Sequence, residues 1–126
     1  MAPLRISAYE RVIVMLERIT PQAMVMRISA SSTNAAYLHM DLTKALREEF
    51  EHNISLQMYV SDECWSKVKR AREETGELYK VAFTRVKADS TAAEYAREIL
   101  HLEATVGNSA IREAVVAVRA EMGKHF

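Results

Sequence analysis

Glycine (3), proline (2) and cysteine (1) are all scarce in this chain of 126 residues. Few glycines and prolines leave few tight turns, so long elements are expected, and helices are favoured. Glycines at positions 76, 107 and 123 are too few and too scattered to cradle a phosphate. The lone Cys64 rules out an internal disulfide and a cysteine-rich metal site, and it fits a reducing compartment. Long apolar runs are missing too. The longest near the start, Val12 to Leu16, is far shorter than the roughly 20 residues of a spanning helix. The opening MAPLRISAYER has no apolar core of signal-peptide length. A soluble, cytoplasmic protein with no membrane partner is expected. Charge of one sign is also lacking, with 17 basic against 17 acidic residues. A protein held on nucleic acid by bulk charge would be more basic.

What is present is an ordinary globular balance. Apolar residues make up 49% and charged residues 27%, enough for a buried core in one domain spanning 1–126. Seven methionines against three phenylalanines suggest an adaptable core or interface. The charge is mildly uneven: Trp65 to Ser90 carries seven basic residues against four acidic ones (+3), which leaves ten against thirteen (−3) elsewhere.

Ser7-Ala8-Tyr9-Glu10 has the form of a capping box, and Tyr9, Val12, Ile13 and Leu16 follow at helical spacing. A helix from about Ala8 to Ile19 is expected, stopped by Thr20-Pro21; the rival is a hairpin. Met24, Met26 and Ile28 alternate with Val25, Arg27 and Ser29, which predicts a short strand near 23–29. Residues 30–34 read as a loop with several potential N-caps. Leu38, Leu42, Ala45, Leu46 and Phe50 place a helix over 35–51. Trp65, Val68 and Ala71 form a narrow apolar seam, with Gly76 as its helix C-terminus. A further helix runs from Leu78 to about Ala88. Thr91 to Glu94 is a second capping box, opening a helix that carries Tyr95, Ile99 and Leu102. After a turn at 107–109, Ile111, Val115, Val118 and Met122 define the last helix. The short connection predicts a C-terminal helical hairpin over 91–124.

The segment 54–60 is the most suggestive. Ile54, Leu56, Met58 and Val60 alternate strictly with Ser55, Gln57 and Tyr59. That predicts a second one-faced strand leading into a helix at Ser61-Asp62. From Leu56 to about Ala88 the chain resembles the ribbon-helix-helix family of DNA-binding regulators. The resemblance rests on the inward strand residues Leu56, Met58 and Val60, the helix start at Ser61-Asp62, the core residues Trp65 and Val68, and a turn at Thr75-Gly76. It implies two chains pairing their strands, with the ribbon in the DNA major groove. Ser55, Gln57 and Tyr59 would then face the DNA, with Lys67, Lys69, Arg70 and Lys80 as basic neighbours. Amides near Glu77 would open the second helix against a phosphate. Two other readings stay open. The strands at 24–28 and 54–60 could pair in parallel within one chain across the intervening helix, or both segments could be helical.

No catalytic constellation is legible. His39, His52, His101 and His125 show neither HxxxH nor HxH spacing, so no metal or cofactor is expected. Cys64 lies in a first helical turn, but Asp62 and Glu63 oppose its activation. Trp65 reads as a core or dimer anchor. Val115 to Val118 is apolar nearly around a whole helix, which predicts a homodimer or higher homo-oligomer. The expected fold is α+β and mostly α, with short strands near 23–29 and 54–60 and about five helices. Residues 1–53, 54–88 and 91–124 form its three parts. The leading functional expectation is a small dimeric DNA-binding regulator, or a plasmid or phage accessory protein, acting by site occupancy and not by chemistry. The alternative is a non-enzymatic protein-binding factor, an inhibitor or assembly subunit using helical surfaces.

Overall fold

The segments expected to be strands are both coiled. The computed structural model describes residues 2–28, 33–107 and 109–125, and it is all-helical there. The order is α1 (Ala2–Arg18), α2 (Pro21–Ile28), α3 (Ala35–His52), a 3-10 turn (Ile54–Met58), α4 (Asp62–Thr84), α5 (Ala92–Val106) and α6 (Ser109–His125). Among the described residues the one β-type pairing is an isolated bridge between Asn34 and Thr91, the N-caps of α3 and α5.

The α+β expectation is therefore corrected, and burial gives the reason. In α2, Pro21, Met24 and Val25 are buried and Ile28 is partly buried, whereas Met26 is 75% exposed. That is helical spacing, and the alternation of apolar residues in the sequence was coincidental; Ser29 lies outside the described residues. At 54–60 the buried residues are Leu56 and Val60, four apart, while Ile54 is 45% and Met58 78% exposed. With no neighbouring strand, the backbone satisfies itself locally: the amides of Leu56 and Tyr59 donate to the carbonyls three residues earlier, at 3.0 Å each.

Three helix boundaries also move. α1 begins at Ala2, so the Ser7–Glu10 box lies inside a helix and caps nothing. α1 ends at Arg18, and Pro21 becomes the first residue of α2, where its missing amide costs nothing. There the Thr20 hydroxyl accepts from the Ala23 amide at 3.3 Å. Gly76 does not end a helix. α4 runs through it for 23 residues, so the expected turn and second helix start near Glu77 are absent. Ser61 and Thr91 do cap, accepting from the amides of Cys64 and Glu94 at 3.0 and 3.1 Å.

α4 is the hub. α3, α5 and α6 pack on it, α1 lies along α6, and α2 bridges α3 and α5. α3 runs antiparallel to α4: Phe50 meets Trp65 at 5.4 Å, and His39 stacks on Phe83 at 4.5 Å. The Arg72 guanidinium lies 4.8 Å over Phe50, a contact worth about 0.5–1 kcal/mol at a partly exposed site. α5 and α6 do not pack along one another, so the expected C-terminal hairpin is also corrected. α6 packs on α4 and α1 instead. The core is one continuous cluster from Ala8 to Val118.

Gly76 and Gly107 respond oppositely to the same change. A Cβ at Gly76 would sit 3.7 Å from the Leu46 side chain, an ordinary contact. Gly107 closes α5 at φ +88° and ψ 170°, a region nearly restricted to glycine. Gly76→Ala is expected to raise stability by up to about 1 kcal/mol, and Gly107→Ala to lower it by about 1–3 kcal/mol, both read by urea unfolding.

Candidate functional site

The antiparallel pair of α4 and α6 is held at both ends by carboxylates. At one end Glu121 of α6 accepts from the Tyr9 hydroxyl of α1 at 3.0 Å and from the Ser61 amide at 2.9 Å. At the other, Glu74 of α4 accepts from the Ala110 amide in the first turn of α6 at 3.2 Å. Each carboxylate thus satisfies a free amide at the start of the opposite helix, where negative charge is also favoured by the helix dipole. Burial disfavours the Glu121 carboxylate, but the hydrogen bonds from Ser61 and Tyr9 and the charge of His125 outweigh it, so its pKa lies below the usual 4.5. Burial, and then Glu121, push the Tyr9 phenol up to about 12.

A groove of about 540 Å³ opens between these helices. Val116, Ala117 and Ala120 of α6 supply its apolar part, and Val116 keeps 65% of its surface exposed. Glu63 and Lys67 line the α4 wall, and Arg112, Glu113 and Lys124 add charges of both signs along α6. Cys64 also borders the groove, but it is 3% exposed, and burial followed by Glu121 pushes its thiol up to about 11. A protonated, shielded thiol is a poor nucleophile.

The second polar feature lies inside. The Tyr95 hydroxyl donates to the Tyr79 carbonyl at 2.9 Å, which uses its one hydrogen. His39 Nδ1, 2.8 Å away, must therefore be the donor to Tyr95. Burial and then Lys80 lower the His39 pKa, which agrees with a neutral ring. This chain of bonds ties α3, α4 and α5 together. The Tyr79 hydroxyl is buried with no hydrogen-bond partner among the described residues. Among the described residues no group of three or more His, Cys, Asp and Glu is placed to hold a metal ion.

The residues expected to face DNA do not all share one face, although Arg70, three residues on from Lys67, lies within about 60° of it on α4. Ser55 and Gln57 are exposed on the 3-10 turn, while Tyr59 is half-buried against the core. Lys67 lines the groove. At about 100° per residue, Lys69 points roughly 200° away from Lys67. Lys80 shares the Lys69 side but lies about 16 Å further along the helix axis. Glu121 and Glu74 escaped the sequence reading, and Tyr9 entered it only through its helical spacing with Val12, Ile13 and Leu16. One signal was available: Glu121 continues the stripe Ile111, Ala114, Val118, so a charge falls in line with buried residues.

Two contrasts follow. Tyr95→Phe strands the His39 donor and is expected to cost about 1–3 kcal/mol, whereas Tyr79→Phe removes an unpaired hydroxyl and should be neutral or stabilising. The pKa of Glu121 is depressed in the fold. Its contribution is therefore full above the ordinary carboxylate range and lost as pH falls through the folded pKa. Glu121→Gln is expected to cost about 1–3 kcal/mol at neutral pH and to flatten the acid limb of stability, measured by unfolding from about pH 7 to about pH 3.

A model of the family described as "Family of unknown function (DUF7935)" matches residues 1–125. No curated protein and no solved structure matches the chain.

Proposed function

The chain belongs to the DUF7935 family, and for it we propose a non-enzymatic protein-binding role, with a partner polypeptide docking in the groove between α4 and α6. The observation that carries this reading is Val116, 65% exposed on a helix whose other large apolar side chains are buried or partly buried, and set among charged groups of both signs. An apolar centre with a polar rim is the usual make-up of a protein interface. A polyanion would want one sign of charge, whereas the groove carries Glu63 and Glu113 beside Lys67, Arg112 and Lys124. The DNA-regulator reading depended on an extended ribbon at 54–60. With that segment in a 3-10 turn, the protein-binding alternative is the better supported. Function through occupancy of a surface, without chemistry, belongs to the same proposal. So does a cytoplasmic, reducing setting, to which the single buried thiol is suited. No helix among the described residues is long and apolar enough to cross a membrane.

The test is a photo-crosslinking residue at position 116 in living cells, with position 44 on the exposed side of α3 as control. A discrete polypeptide adduct at 116 is expected, reduced at least about tenfold by Ala120→Arg with an unchanged melting temperature. Equal labelling at 116 and 44, or no adduct at 116, rejects the proposal.

A further inference from the structure

A second cavity, of about 250 Å³, lies beyond the start of α6 in the seam between α4 and α5. Its apolar part comes from Leu78 and Val81 of α4 and from Leu102 and Val106 of α5. Leu78 and Leu102 belong to the core, at 9% and 1% exposure, while Val106 forms the rim at 75%. The charge here is of one sign, unlike that of the α4–α6 groove. Among the described residues, Glu74 and Glu77 are the only ionisable groups in the lining. Glu74 already answers the positive end of the α6 dipole, accepting from the Ala110 amide at 3.2 Å. Glu77 is exposed and forms no hydrogen bond or ion pair among the described residues. The C-terminus of α5 borders the cavity through Val106, and no basic residue in its last turn offsets the negative end of its dipole. The nearby cations of α4 stay outside the lining. Lys80 sits near enough to His39 to lower its pKa, and Arg85 pairs with Glu98 at 3.5 Å. Arg70 lies about two turns before Glu77. An apolar floor under a purely negative rim matches a ligand with an aliphatic body and a cationic head.

We propose that this cavity binds an ammonium group carried on a short aliphatic stem, the stem lying on Leu78, Val81 and Leu102 and the head at Glu77 and the end of α5. The site is separate from the α4–α6 groove and does not depend on what docks there. A free alkylamine and a lysine side chain share this chemistry.

Titrations followed by the amide NMR shifts of the isotope-labelled whole chain test it, with butylammonium, Nα-acetyl-lysine methylamide and butanol as probes. Butylammonium is expected to give saturable shifts at Val81, Gly107 and Ser109, and to bind about fivefold more tightly than butanol. Added salt should erase that margin, because the charges are exposed. Glu77→Gln should bring butylammonium down to the level of butanol. Val106→Lys, which carries the chain's own ammonium to the rim, should block it. Both positions are exposed, so the melting temperatures of the variants should not change. Saturation by butylammonium alone assigns the site to a free amine, and saturation by the capped lysine at the same amides assigns it to a polypeptide side chain. Butanol binding as tightly as butylammonium, no saturation with either cation, or a Glu77→Gln chain that binds as before overturns the proposal.

Discussion

The arrangement rests on the reciprocal clasp between α4 and α6. Glu121 receives the amide that opens α4, and Glu74 receives an amide that opens α6. Free amides at helix starts are costly to leave unpaired, and each is met here by a carboxylate from the facing helix. The clasp fixes the two helices antiparallel and sets their axial register. Tyr9 extends it to α1, since the same Glu121 oxygen accepts its hydroxyl. A residue near one end of the chain is thereby tied to one near the other through a single carboxylate.

Everything on the surface of α6 follows from how it is gripped. α4 and α1 cover two of its sides, burying Ala110, Ile111, Ala114 and Val118. The third side keeps Val116 exposed, with charges of both signs around it. The apolar excess seen in Val115 to Val118 has a geometric meaning here: three of these residues turn at least partly inward and one is left over. The internal chain from His39 through Tyr95 to the Tyr79 carbonyl does a comparable job on the other side of α4, locking α3 and α5 against it.

Legibility in the sequence varied with how many residues voted. The stripe Leu38, Leu42, Leu46 and Phe50 spans several turns and gave α3 within a residue or so. The caps at Ser61 and Thr91 were readable because their chemistry is local. Short apolar runs were not readable. At 54–60 a strand of period two and a helical repeat of four both fit Leu56 and Val60, and only burial separates them. Gly76 had the look of a terminator, yet whether a glycine ends a helix depends on what lies across from it, here Leu46. The groove was half visible: Val116 belongs to the apolar run Val115 to Val118, while the pairing of Glu121 and Glu74 with distant amides has no local signature.

The amino-acid order alone determined a largely helical chain, the break at Thr20-Pro21 and the starts of α4 and α5, because those depend on neighbours a few positions away. Only the folded molecule decided that 23–28 and 54–58 coil, that α6 joins α4 and α1 instead of α5, and that one carboxylate links Tyr9 with Ser61. Those outcomes depend on which distant surfaces bury each other best and which far-off amides find an acceptor, and such choices sum over partners that no local window contains.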